Sequence, residues 1–227
     1  MTASSRSLAL VTGAASGLGF ELAKCCAENG FDLVVAAEEP EIHLAAQTFR
    51  DLGAMVLAVH ADLSTLEGVD RLWAEVESTG QPVEMLLAAA DRGQPGAFLG
   101  QEFGTVRHRI DTHLMGMLSL LHKVGAAMRS RGRGRILIAG QALPAPHAVE
   151  HGIRAFHDSF AAALRDEMKD SGVTIVFLAP HGEAADAARQ GFDEIMREDD
   201  ASAAWRDKLR GAPPPVSPGL AETRHSH

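Results

Sequence analysis

The sequence predicts an α/β fold: a doubly wound parallel sheet in a three-layer α/β/α arrangement, built as a single domain. Two observations carry this. Short β-rich runs alternate with longer stretches of helical spacing from Leu8 to Arg197, which is the pattern of repeated βαβ units. The short runs are also continuously apolar, as strands covered on both faces must be. No internal repeat or linker interrupts the region, and 227 residues suit one sizeable core.

The predicted strands are Leu8–Thr12, Asp32–Ala37, Ala54–His60, Val83–Ala89, Arg135–Gly140 and Val173–Ala179. The first predicted helix is Gly17–Asn29, where Leu18, Leu22, Cys25 and Cys26 recur at three to four residues. Further helical stretches cover roughly Glu41–Leu52, Thr65–Thr79, Glu102–Arg131, Ala148–Asp170 and Glu183–Arg197. The domain is read as 1–210. Beyond it, Gly211–Pro218 reads GAPPPVSP and the end is polar. Proline cannot continue a helix and the segment has little to bury, so 211–227 is expected to be an extended or disordered tail, a docking arm being the alternative.

Composition excludes several function classes. A formal net charge of −9 leaves no basic excess for a phosphate backbone or an anionic membrane. No stretch approaches the roughly 18 apolar residues of a spanning helix. Met1–Leu10 shows no secretory pattern, and the two cysteines, Cys25 and Cys26, are adjacent. Neighbouring cysteines rarely bridge, so a reduced, cytoplasmic setting is expected. The chain has no tyrosine at all, which removes any mechanism that needs a phenol.

The first strand runs into Thr12-Gly13-Ala14-Ala15-Ser16-Gly17-Leu18-Gly19 and then a helix. Glycines at such a turn let backbone N–H groups approach a pyrophosphate, and the helix N-terminus stabilises its charge. The second strand ends at Glu38, 19 residues beyond Gly19. A carboxylate there accepts from the adenine-ribose hydroxyls and repels a 2′-phosphate, which favours NAD(H) over NADP(H). Asp62 and Leu63, just past the third strand, suit the adenine edge. The alternative is a plain tight turn with a solvated acid at Glu38.

These motifs, together with Gly134-Arg135-Ile136-Leu137-Ile138 and Phe156-x-x-Ser159-Phe160-x-x-x-Leu164-Arg165-x-Glu167, resemble the short-chain dehydrogenase/reductase (SDR) family. The resemblance runs from Leu8 to Pro180 and resumes over Asp186–Leu209. It implies a Rossmann-type sheet, seven-stranded in the family, of which six strands are placed here. It further implies that Gly13, Ser16, Gly17, Leu18, Gly19, Glu38, Asp62, Leu63, Ala88 and Pro180 line the cofactor. The helices near 102–131 and 148–170 would form a homodimer or homotetramer interface, with Ala155, Ala161, Ala162 and Ala163 allowing close approach.

The catalytic positions carried over from the resemblance are all substituted. The family's Tyr-x-x-x-Lys falls on Glu150-His151-Gly152-Ile153-Arg154, its serine on Gln141, and its relay asparagine on His113. Ala88-Ala89-Ala90-Asp91 stands where Asn-Asn-Ala-Gly is usual. An ordinary glutamate, with a pKa of about 4.3, holds no proton to donate at neutral pH, and an arginine fork is no substitute for a compact ammonium. Loss of a general acid costs roughly 10²–10⁴ in rate. Glu150 and Arg154 stand at i and i+4, so a surface helix pair is the plainer reading. Pro180-His181-Gly182-Glu183 also leads almost directly into the next helix, without the family's segment that closes over substrate.

Other constellations point elsewhere or nowhere. His147-Ala148-Val149-Glu150-His151 spells a zinc-peptidase pattern, read as coincidence, so no metal is expected. Arg129, Arg131, Arg133 and Arg135 are read as a solvated turn. His113 is either a surviving acid/base or a hydrogen-bonded helix residue. Three functional readings follow. The first is an NAD(H)-binding SDR relative without standard hydride transfer. The second is an active oxidoreductase rebuilt around His113, Glu150 or His181. The third is a structural protein with an empty site.

Overall fold

A computed structural model describes residues 6–89, 96–140 and 148–210, with side chains described as far as Glu198. Six strands form one parallel sheet: β1 (Leu8–Thr12), β2 (Asp32–Ala37), β3 (Val56–His60), β4 (Val83–Ala89), β5 (Gly134–Ala139) and β6 (Val173–Leu178). Their order is β3-β2-β1-β4-β5-β6. The order reverses between β1 and β4, where Leu10 faces Val34 on one side and Leu86 on the other. Such a reversal opens a crevice at the carboxyl ends of the strands. The expected six strands are therefore all present. Among the described residues no seventh strand follows β6.

The helices are α1 (Gly17–Glu28), α2 (Ile42–Asp51), α3 (Leu66–Ser78), α4 (Phe103–Ile110), α5 (Met117–Arg131), α6 (Ala148–Met168) and α7 (Ala184–Arg210). Strand side chains alternate between two cores. Ala9, Val11, Leu33 and Val35 pack under α1, α2 and α7, with Leu22, Phe49 and Phe192. Leu8, Leu10, Val34 and Leu86 face α3, α5 and α6, with Leu72, Leu120, Val124 and Ala161. All residues of β1 and β2 are buried, which explains their unbroken apolar runs.

Three expectations are corrected. The stretch read as one helix over 102–131 is divided by a π-helical segment, Asp111–Gly116, between α4 and α5. The last helix continues well past Arg197, to Arg210. Ala161, expected at a subunit interface, points into the core instead, while Ala155, Ala162 and Ala163 are exposed. The tail 211–227 lies outside the described residues.

Candidate functional site

The crevice at the strand reversal is a cleft of about 650 Å³, counting its part open to solvent. Its walls include Thr12 at the end of β1 and Gly13 after it, Glu38 and Glu39 after β2, Leu63 after β3, Ala88 and Ala89 of β4, and Thr112, His113 and His157 from the helices. Of the residues expected to contact a cofactor, Gly13, Glu38, Leu63 and Ala88 line it directly.

The loop that enters α1 is shaped by glycine. Gly13 has φ +63°, which a residue with a Cβ rarely adopts. A Cβ on Gly19 would lie 2.2 Å from the Gly13 carbonyl oxygen, so only glycine lets the helix start this close to the loop. Ser16 precedes the helix with extended backbone but makes no side-chain cap, and the first turn holds no acid. The free N–H groups and the positive helix end are thus left for an external anion. This cradle, filled by any larger side chain, fits a dinucleotide pyrophosphate. Pro180 is buried after β6, on the connection 179–183 that joins β6 to α7.

At the opposite wall, the π segment holds His113, which is buried. π turns recur at functional sites because they re-aim a side chain out of the helical ladder. Gly116 fixes this segment in place: a Cβ there would lie 1.9 Å from the Leu63 carbonyl oxygen. The His113 carbonyl accepts a hydrogen bond from His157 Nε2 at 2.9 Å. That bond assigns the proton of neutral His157 to Nε2, leaving Nδ1 buried without a partner. Burial lowers the His157 pKa, against the raising effect of the His113 carbonyl.

Glu150 is not the surface residue expected. It is 2% exposed, and its Oε1 accepts from Arg109 Nη1 of α4, which is 7% exposed. The expected i,i+4 pair with Arg154 is therefore replaced by a buried pair across two helices. Its other carboxylate oxygen is buried without a hydrogen-bond partner. Arg154 is half-buried beside Gly140, at the end of β5. Gln141, Ala90, Asp91 and His147 lie outside the described residues. His151 is exposed while Glu150 is buried, so these two members of the zinc-peptidase pattern do not converge. His181 is exposed on the β6–α7 connection.

The adenine-ribose end has its own cluster. His108 Nε2 lies 3.0 Å from Glu38 Oε2, and His60 Nε2 lies 2.6 Å from the Glu38 carbonyl oxygen. Asp62 Oδ1 accepts from the Ser64 backbone N–H at 2.8 Å. Partial burial would raise the Asp62 pKa, but the Ser64 hydrogen bonds and nearby His108 hold it below the ordinary carboxylate value. The polar atoms of Glu38, Asp62 and His108 fall within 4.8 Å of one another.

Arg109, His108 and His157 were missed from sequence. Val106, Arg109 and His113 recur at three to four residues, as do Glu150, Ile153, His157 and Ala161. That spacing places Arg109 and His157 on buried faces and was the available signal. The arginine run is not simply solvated. Arg133 pairs with Glu84 at 3.0 Å and Arg131 donates to the Val83 carbonyl, tying the turn to the start of β4. Burial pushes the Cys25 thiol up to about 11 and raises Cys26 as well, so neither is a ready thiolate.

The model for the short chain dehydrogenase family matches residues 7–194. The chain belongs to that family. An uncharacterized oxidoreductase of Myxococcus xanthus is 30% identical over 181 residues, covering 76% of this chain and 70% of that protein. The bulky-bulky ketone specific alcohol dehydrogenase from Comamonas testosteroni superposes with a TM-score of 0.75 at 20% identity, covering 95% of this chain and 98% of that one. The L-sorbose reductase from Gluconobacter frateurii, complexed with NADPH and L-sorbose, gives a TM-score of 0.69 at 24% identity, over 76% of this SDR chain and 68% of its own.

Proposed function

We propose that this chain is an SDR-family dinucleotide-binding protein, of oxidoreductase descent, that no longer performs the family's standard hydride transfer. The observation that carries the reading is the buried Arg109–Glu150 pair at the position of the family's catalytic tyrosine. That carboxylate is committed to the Arg109 guanidinium and offers no phenol to a substrate carbonyl. The glycine cradle and the free N-terminus of α1 are meanwhile intact. Gly13, Ser16, Gly17, Leu18 and Gly19 would hold the pyrophosphate, with Glu38 on the adenine ribose, Leu63 on the adenine and Ala88 and Pro180 toward the nicotinamide. When bound, that ring supplies the hydride. By the family resemblance, Glu150, Arg154 and His113 would stand in place of the residues that move the accompanying proton.

Glu38 supports NAD(H) as a cofactor, and the short connection 179–183 supports the reading that the family's closing segment is missing between β6 and α7. The negative net charge and the family's soluble habit support a cytoplasmic protein. Exposed Phe103, Met115, Ala155, Ala162 and Ala163 on α4, the π segment and α6 support pairing of two copies through these helices.

Calorimetric titration with NADH tests the reading, alongside hydride turnover on a panel of ketones and alcohols. Saturable binding without turnover is expected. A second reading rests on His113, which lines the cleft: an active site rebuilt around that imidazole. Turnover lost on His113→Ala would establish it in place of the first.

A further inference from the structure

The geometry points to His108 as the residue that sets the preference between NAD(H) and NADP(H). This rests on the reading of the cleft as a dinucleotide site. Glu38 alone would exclude a 2′-phosphate, but Glu38 does not stand alone: His108 Nε2 of α4 lies 3.0 Å from its Oε2. The two side chains are 44% and 50% exposed, so the contact is remade without disturbing the core.

The other groups at this end have fixed roles. His60 Nε2 is committed to the Glu38 carbonyl oxygen, and Asp62 Oδ1 to the Ser64 backbone N–H. Glu39 also lines the cleft. His108 is therefore the side chain that offers a movable donor among three carboxylates.

Its effects on the two cofactors have opposite signs. A ribose 2′-hydroxyl must donate to Glu38, and His108 already occupies one of that carboxylate's oxygens. It competes with NAD(H) for the carboxylate that makes Glu38 selective. A 2′-phosphate needs donors and is repelled by Glu38, Glu39 and Asp62. The His108 ring beside Glu38 would supply such a donor, and hydrogen bonds to an ionised phosphate are the strong ones. The chain thus accepts NADP(H) despite carrying the carboxylate that marks an NAD(H) site.

Fluorescence titration of the full chain with NADH and with NADPH tests this, using the wild type, His108→Ala, Glu38→Gln and the double variant. His108 is half-exposed, so the variant is expected to fold, and its thermal melt checks this. In the wild type the two dissociation constants should lie within about tenfold of each other. His108→Ala should tighten NADH by about threefold and weaken NADPH by about tenfold. In the Glu38→Gln background the NADH gain should vanish while the NADPH loss persists. The proposal is overturned if His108→Ala leaves the ratio unchanged within about twofold, if the NADH gain survives without Glu38, or if the wild type rejects NADPH by more than about a hundredfold. A wild type that binds neither cofactor overturns the dinucleotide reading itself, and this inference with it.

Discussion

Arg109 of α4 holds the carboxylate of Glu150 of α6 in a pair that both helices bury. Forty-one residues separate the two in sequence. Two charges taken out of water are stable together, but neither is stable alone. Glu150→Ala should therefore lower unfolding free energy by about 3–5 kcal/mol, because it leaves an uncompensated guanidinium in the interior. The double replacement Arg109→Met with Glu150→Leu should be near neutral, or stabilising. Urea denaturation of the three proteins checks both statements. A Glu150→Ala loss below about 1 kcal/mol would mean the pair is no more than a surface bridge.

The same pair governs attempts to rebuild a catalyst. Gln141→Ser, Glu150→Tyr and Arg154→Lys together restore the family's residue types, yet a tyrosine at 150 leaves Arg109 buried without its carboxylate. On the proposed reading, the direct 179–183 connection also deprives the reacting end of a closing segment. NADH-dependent reduction of a ketone panel should stay at the level of the blank. Family-like rates in this triple variant would contradict the weight placed on Arg109 and on the short connection.

Glycine positions separate local from general effects. Gly19→Ala drives a Cβ to 2.2 Å from the Gly13 carbonyl oxygen, so the cradle must deform, and NADH binding should weaken by at least about tenfold. Gly116→Ala meets the Leu63 carbonyl oxygen at 1.9 Å and should lower the melting temperature and NADH affinity together. Gly152 has open space around its Cβ position within α6. Gly152→Ala should accordingly stabilise by about 0.5–1 kcal/mol through helix propensity and leave binding unchanged.

His157 gives the fold an acid-sensitive component. Burial lowers its pKa in the folded protein, so between the folded and unfolded values the unfolded chain binds more protons. The stability tied to its neutral form is complete above the ordinary histidine value of about 6.5 and is lost as pH falls through the lowered folded value. Denaturation midpoints should drop on acidification through this window. The drop should shrink in His157→Gln, whose amide carries no proton to gain. An unchanged pH profile in that variant would remove His157 from the account.

Much of this architecture is legible in the sequence, for definable reasons. The strands declare themselves because both faces of the sheet are covered, so Leu8–Val11 and Leu33–Ala37 are apolar without a break. The loop from Thr12 to Gly19 is readable because backbone approach to a phosphate demands glycine at fixed places. The π segment is not readable: Ile110 to Met117 keeps ordinary helical composition, and the close packing of Gly116 on Leu63 is a tertiary contact that local spacing does not reveal. The role of Glu150 is also hidden. Local spacing offers Arg154 as partner, whereas tertiary packing brings Arg109 alongside. His108 and Glu38, 70 residues apart, meet only because the sheet places the end of β2 beside α4.

On the proposed function, the site holds a reduced dinucleotide and does not spend it. The fluorescence of NADH titrated with the purified chain in the presence of mixed ketones tests both halves at once. A saturable change that then stays constant over hours is expected. A signal that decays as the ketones are reduced would contradict the loss of hydride transfer, and a signal that never changes would contradict binding.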